Sequence, residues 1–233
     1  MHRNQIIHGE ATTTLKGFAL NSVNLIVTDP PYLCRYRDQT GRTLRNDDNA
    51  AGVLPVFPEL FRVLKPASYC VLFCGWNAID QFSQAWSQAG FRTVGHIVWR
   101  KGYTSSRRHL QYRQESAWLL AKGNPAAPQS PLPDVMDWVY SGNRSHPTEK
   151  AVEIITPLVE RFSRPGGLVL DPFLGSGTTA VAAALAGRGY IGVELEERYC
   201  TLARNRLSGV ERFHAKTTAS GQSGSPFPGG LAA

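Results

Sequence analysis

The feature that most constrains this chain is a succession of short apolar runs, each bounded by glycine, proline or a small polar residue. Asn4–His8, Val23–Thr28, Ser68–Cys74, Arg92–Arg100, Ser116–Ala121, Leu168–Leu170 and Tyr190–Val193 are the candidates. Several are continuous β-branched or aromatic stretches without polar alternation, as in strands covered on both faces. Between them lie helical stretches with start and stop signals. Asn77–Ala89 opens on Asn77 and stops at Gly90; Thr148–Ser163 opens on Thr148 and ends before Pro165. Thr178–Ala186 stops at Gly187, and Glu196–Leu207 stops before Gly209. Pro157 predicts a kink or break in the second of these. The alternation of strand and helix predicts an α/β protein with a mostly parallel, doubly wound sheet.

At 233 residues, one compact domain is favoured. Residues 1–213 are expected to form it, with a short insertion at about 122–145 containing the Pro-rich surface loop Asn124–Pro133. Residues 214–233, rich in Ser, Gly and Thr, read as a disordered tail. No apolar run approaches the roughly 18 residues of a membrane helix, and the N-terminus lacks the apolar stretch of a secretory signal. A cytoplasmic protein without a membrane partner is expected. Cys34, Cys70, Cys74 and Cys200 show no disulfide or metal-ligand spacing; Cys70 and Cys74 read as inert core thiols, and no metal is expected. The net charge of +7 makes a polyanionic partner plausible.

Ligands of open α/β sheets sit beyond the carboxyl ends of the strands, so the residues that follow each strand carry the chemistry. Two such places stand out. In Asp171-Pro172-Phe173-Leu174-Gly175-Ser176-Gly177-Thr178-Thr179 a strand ends in a carboxylate, turns through Gly-x-Gly and enters a helix. About twenty residues on, the next strand ends in Glu194, placed to accept hydrogen bonds from ribose hydroxyls. Gly175-x-Gly177-x-x-Ala180 formally fits a relaxed dinucleotide fingerprint, and no lysine follows the glycines as a P-loop requires. Asp171 would repel a pyrophosphate but suits a nucleoside that carries a cation. S-adenosylmethionine, with an ammonium and a sulfonium, is the better fit, and NAD stays open.

The second place is Asp29-Pro30-Pro31-Tyr32, directly after an apolar strand. The prolines remove two backbone donors and stiffen the chain. The Asp29 carboxylate and the Pro30 carbonyl are then acceptors beside the face of Tyr32. That is a receptor for a planar group bearing an NH₂, one acceptor for each hydrogen. The plain alternative is an ordinary turn.

Taken together, the two sites resemble those of the amino-methylating DNA methyltransferases, which modify adenine N6 or cytosine N4. Asp29–Tyr32 matches the family's catalytic motif and Asp171–Thr179 its cofactor motif. The catalytic motif comes first, as in the permuted β group. His146-Pro147-Thr148-Glu149-Lys150 and Ile191-Gly192-Val193-Glu194 match as well, and His8-Gly9-Glu10 resembles the lead-in to the catalytic strand. Ala151 stands where the family usually has proline, and Glu10 where it usually has Asp. The resemblance implies a single Rossmann-like S-adenosylmethionine-dependent methyltransferase domain whose mostly parallel sheet carries an antiparallel hairpin strand. It implies direct methyl transfer to the amine of a flipped-out base, with Asp29, Pro30, Pro31 and Tyr32 catalytic. Glu10, Thr148, Lys150, Asp171, Phe173, Gly175, Ser176, Gly177, Thr178 and Glu194 are then the cofactor residues. An acid at the first catalytic position favours adenine over cytosine. The short insertion leaves little room for a target-recognition domain.

Charge placement points to a nucleic-acid substrate independently. Leu33–Arg45 has a net charge of +3 and Arg100–Arg113 of +5, so the rest of the chain is near neutral. Arg35, Arg37, Arg42, Arg45, Lys101, Arg107, Arg108 and Arg113 are candidate contacts to double-stranded DNA, interleaved with Tyr36, Tyr103 and Tyr112. A homodimer and a cognate restriction enzyme are partners that the resemblance raises. The competing readings are a cytosine-N4 enzyme, an RNA base methyltransferase, a catalytically silent DNA-binding module and an NAD oxidoreductase.

Overall fold

The computed structural model describes residues 3–34, 41, 47–107, 109–142 and 149–220. Its strands are β1 (Gln5–His8), β2 (Val23–Thr28), β3 (Leu64–Phe73), β4 (Arg92–Arg100), β5 (Ser106–Arg107), β6 (Gln111–Tyr112), β7 (Gln114–Lys122), β8 (Val135–Asp137), β9 (Leu168–Asp171) and β10 (Gly189–Glu194). Its α-helices are α1 (Ala11–Lys16), α2 (Val56–Val63), α3 (Ile79–Ala89), α4 (Val152–Phe162), α5 (Thr178–Leu185) and α6 (Glu197–Ser220).

Eight strands form one sheet in the order β1-β10-β9-β2-β3-β7-β4-β8. The pairs from β1 through β3 are parallel. Strand β7 lies antiparallel between β3 and β4, and β8 runs parallel to β4 at the edge. This is the expected α/β sheet with its antiparallel hairpin. The apolar runs have the expected cause, since the residues of one strand feed two cores. In β2, Ile26, and Val23 across a register shift, join Leu15, Phe57, Leu60, Phe82 and Trp86 of α1–α3 on one face. Leu25 and Val27 join Ile155, Leu158, Val181, Ala203 and Leu207 of α4–α6 on the other.

The differences from expectation are local. Gly209 does not end the last helix, which continues to Ser220 and so enters the stretch expected to be a disordered tail. A single glycine costs a helix only about 1 kcal/mol, and the residues around it keep the ladder going. Residues 221–233 lie outside the described ones. Helix α4 begins at Val152 rather than at Thr148, capped by Ala151 without a side-chain bond, and it runs past Pro157. Helices α1 and α2 went unread. The sequence Ala-Thr-Thr-Thr-Leu-Lys is a poor helix former, held by its Glu10 cap and by buried Leu15. Pro58 falls in the first turn of α2, where a missing N–H costs nothing. Part of the insertion returns to the sheet as β8.

Candidate active site

The topology places β9 beside β2, so Asp171 and Asp29, far apart in sequence, emerge from neighbouring parallel strands. The Thr28 hydroxyl donates to Asp171 Oδ1 at 3.0 Å and ties the two strand ends together. Strand β10 flanks β9 on the other side, with Gly192 paired to Asp171, so Glu194 ends at the same edge. This is the switch point of an open sheet, where such folds bind ligands.

At the β9 end, Asp171 also accepts from the Phe173 N–H at 3.0 Å and is nearly inaccessible. Burial pushes its pKa up to about 7, against the hydrogen bonds from Thr179, Phe173 and Thr28. It makes no ion pair among the described residues, so a cation beside it would relieve a real cost. Glu194 accepts from the Gly175 N–H and the Glu196 N–H, one on each oxygen, both at 2.8 Å. The Leu195 N–H bears on the carboxylate as well, and a lone pair remains for a hydroxyl. The residues present therefore fit a cationic nucleoside.

Other residues of this group are engaged differently from expectation. The Ser176 hydroxyl donates to Glu149 Oε1 at 3.0 Å. Arg206 of α6 bonds Glu149 Oε1, the Ser176 carbonyl and hydroxyl, and the Thr178 hydroxyl. The Ser176 and Thr178 side chains thus brace the loop from behind. Gly177 has φ +90°, and a Cβ there would lie 2.6 Å from the Ala203 Cβ. Helix packing by itself requires glycine there. Glu10 caps α1, accepting from the Thr12 and Thr13 N–H groups at 2.7 Å. Thr148 lies outside the described residues.

At the β2 end, Asp29 and Tyr32 sit in a cage of charges. Lys150 Nζ lies 2.5 Å from Asp29 Oδ2, and the Tyr32 hydroxyl donates to Asp29 Oδ1 at 2.7 Å. The same hydroxyl is 3.2 Å from Glu115 Oε1, and Lys101 Nζ donates to Glu115 Oε2 at 2.8 Å. Lys150 stands 5.6 Å from the Tyr32 ring centroid and 5.1 Å from that of Phe73. Burial raises the pKa of Asp29, opposed by Lys150 and the Tyr32 hydrogen bond. Burial also pushes Glu115 upward, but Lys150 and Lys101 outweigh it and hold that carboxyl below the usual range. Burial would lower Lys150, but Asp29 and Glu115 keep its pKa raised.

Lys101 corrects a sequence expectation. It is buried and paired to Glu115, so it is not free to meet a phosphate. Lys150 stands on Asp29 and over Tyr32. Arg113 is exposed, as a phosphate contact must be. Arg107 lies in β5. Arg35, Arg37, Arg42, Arg45 and Arg108 lie outside the described residues. Glu115 and Arg206 went unread, and Glu149 was matched as part of a motif without being given a role. Glu115 had a signal, being the first acid after the acid-free stretch 100–114 and standing at the mouth of an apolar strand. Arg206 had none. Burial pushes the Cys70 and Cys74 thiols up, Cys74 to about 12, which suits unreactive core residues.

A strand-end acid suited to a nucleoside cation, joined by one hydroxyl to a proline-braced acid and aromatic ring, is the equipment of a nucleic-acid-modifying methyltransferase. Comparison with known proteins makes the class specific: residues 23–205 match the DNA methylase family of N6 and N4 methyltransferases. The chain belongs to that family and depends, like it, on S-adenosylmethionine. It is 50% identical over 208 residues to "Putative methylase YubD" of Escherichia coli (strain K12), covering 89% of this chain and 92% of that one. It is 24% identical to the type II methyltransferase M2.DpnII of Streptococcus pneumoniae, over 87% of this chain and 88% of the relative. The crystal structure of the M1.HpyAVI–SAM complex superposes with a TM-score of 0.70 at 25% identity, over 87% of this chain and 98% of the other. Among the described residues, no helix is long and apolar enough to cross a membrane.

Proposed function

We infer that this DNA methyltransferase modifies the N6 amine of adenine in double-stranded DNA, with residues 1–213 as the methyltransferase domain. The observation that carries the reading is the Asp29 carboxylate at the head of the Asp-Pro-Pro-Tyr cluster, one strand from Asp171. An acid at that position is the feature the adenine branch favours.

S-adenosylmethionine supplies an electrophilic methyl group. Asp171 would hold its ammonium and Glu194 its ribose, with Phe173, Gly175 and Gly177 shaping the loop between them. Glu10, which caps α1, would lie at the adenine end of the cofactor, and Thr148, next to Glu149 and Lys150 in sequence, would lie toward its methionine part. The target amine is a poor nucleophile because its lone pair is delocalised into the ring. Asp29 and the Pro30 carbonyl accept one hydrogen each, which favours a pyramidal nitrogen and stabilises the positive charge developing there. Pro31 keeps the turn rigid, and Tyr32 offers its ring to the flipped base. Lys150 and Tyr32 each engage one Asp29 oxygen, so a remaining lone pair can accept from the amine while the ammonium keeps the carboxylate ionised.

The test is direct. Purified protein is incubated with labelled S-adenosylmethionine and unmethylated mixed-sequence DNA, which is then digested to nucleosides. Label in N6-methyladenine is expected. Label in N4-methylcytosine would overturn the base assignment, and label only in matching RNA would overturn the substrate.

A further inference from the structure

Beside the base pocket lies a pair of aromatic rings, Trp76 and Tyr112, of which only Tyr112 was noted in the sequence, among the aromatics of the basic segment. Trp76 follows directly on Gly75 at the carboxyl end of β3, the strand next to β2. Gly75 packs against the base platform, since a Cβ there would lie 3.2 Å from Tyr32 Cδ2. Trp76 is nevertheless 61% exposed, whereas Trp86 and Trp99 are core residues. Its ring lies parallel to that of Tyr112, centroids 5.6 Å apart and planes 10° from each other. Tyr112 belongs to the small hairpin of β5 and β6, in which Ser106 pairs with Tyr112. The hairpin is fastened at its base, where the Lys101 N–H donates to the Arg113 carbonyl and the Ser105 N–H to the Tyr112 carbonyl.

A tryptophan so exposed contributes little to the core. Stacking on Tyr112 covers one face and leaves its other face to solvent, held in a fixed plane. What fits there is set by the neighbours. The hairpin segment Ser105–Arg113 carries three arginines and no acid. A flat apolar ring beside a basic segment matches a nucleotide, base on the ring and phosphate by the exposed Arg113 that follows Tyr112.

We propose that Trp76, backed by Tyr112, is a stacking subsite for a nucleobase of the DNA strand that flanks the base held at Asp29. It rests on the reading that a flipped base occupies the Asp29–Tyr32 pocket. The ring pair receives the neighbour that loses its stacking partner when the target leaves the helix. Stacking of this kind tolerates any base, so the subsite adds affinity for an opened strand without adding sequence preference.

The test uses the full chain and its Trp76→Ala and Trp76→Phe variants. The probes are a mixed-sequence duplex and a single-stranded oligonucleotide of the same sequence, with a matching RNA strand as the third. Both DNA probes are expected to quench the protein's tryptophan fluorescence, and Trp76→Ala to remove most of that quench. Trp76→Ala is also expected to weaken DNA binding and raise KM for DNA about tenfold, in line with one lost base stack. Trp76→Phe should recover most of the affinity, and the cofactor Kd and Tm should stay at wild-type values. Unchanged DNA affinity in Trp76→Ala would overturn the subsite while leaving the adenine assignment intact. A loss of cofactor binding or of Tm would show a structural ring and overturn it as well. Tighter, Trp76-dependent binding of RNA would assign the surface to another polymer. Conversely, Trp76-dependent DNA binding by a protein that makes no methyladenine would sink the adenine reading alone.

Discussion

Two carboxylates emerge from adjacent strands of one sheet, yet the protein satisfies them by opposite means. Asp171 is held by neutral donors, the Thr28 hydroxyl and the Phe173 N–H, and makes no ion pair among the described residues, Lys150 bearing on it only as a longer-range charge. Asp29 is held by an ammonium, Lys150, and by a tyrosine hydroxyl shared with a second buried acid. The first end is left short of positive charge and the second is already supplied with it. A cationic cofactor suits the first. A neutral amine that becomes cationic only as it reacts suits the second, where the Asp29 oxygens keep a lone pair beside Lys150 and Tyr32.

The largest expected effects separate the two ends outright. Asp29→Ala should lower methyl transfer about a thousandfold, the upper range for losing one group aimed at developing charge, with cofactor Kd unchanged. Asp171→Asn should do the reverse, weakening cofactor binding about tenfold to a hundredfold through the loss of a charged hydrogen bond. It should also stabilise the ligand-free protein. The folded acid titrates at about 7 against 3.8 for an unburied group. Between those values the folded protein keeps a proton that the unfolded chain gives up, so rising pH weakens the fold across that window. Asparagine retains an acceptor for Thr28 and Phe173 without the charge. Its Tm should exceed wild type by about 5 °C at pH 8, with the gap closing toward pH 4. Thermal melts across that range, with cofactor titrations by calorimetry, check both halves. A variant that loses both activities at either position would erase the division.

The same contrast explains what could be read from the sequence. The β9 end is local. Carboxylate, turn glycines and helix start lie within nine residues, and Glu194 follows at a fixed distance along one β-α-β unit. Pattern and spacing are enough there. The Asp29–Tyr32 cluster was legible too, because two prolines after an apolar strand leave few other uses. Its surroundings were not. Lys150, just ahead of α4, reaches Asp29 across 121 positions, and Glu115 reaches Tyr32 across 83 because β7 is threaded between β3 and β4. No periodicity encodes that insertion, so Lys101 read as a surface cation and Glu115 as nothing at all. Ser176 and Thr178 show the limit from the other side. They stand in the right loop, but their hydroxyls meet Arg206 and Glu149.

The next effect is smaller and sharpens the contrast through pH. Lys150 opposes the upward push of burial on Asp29. Lys150→Met keeps the length and apolar contacts near Phe73 while removing the charge. The Asp29 pKa should then rise further, and the ionised acceptor should be scarcer at neutral pH. Activity at pH 7 is expected to fall about tenfold, with the acid limb of the kcat profile moved to higher pH and partial recovery in alkaline buffer. Glu115→Gln should move the limb the other way, because the Glu115 charge raises Asp29. If both variants shift the limb in one direction, the cage does not govern Asp29. An unchanged limb in Lys150→Met would mean the ion pair is incidental.

The smallest effect separates two cations of one basic segment. Lys101 and Arg113 lie twelve residues apart and read alike in sequence, but the Lys101 amine is in an ion pair with Glu115 behind Tyr32 while Arg113 is exposed. A phosphate contact appears in the salt dependence of binding, at about 0.9 of slope in log K against log salt for each contact to duplex DNA. Arg113→Ala should lower that slope by about one unit with little change in Tm. Lys101→Met should leave the slope unchanged and destabilise the fold by about 3 kcal/mol, because it strands Glu115 as a buried charge whose direct partner is gone. Restoring neutrality with Glu115→Gln in the same chain should return much of that loss. A slope that falls in Lys101→Met would put its amine on the DNA after all, and would mean that the cage at Asp29 opens when the duplex binds.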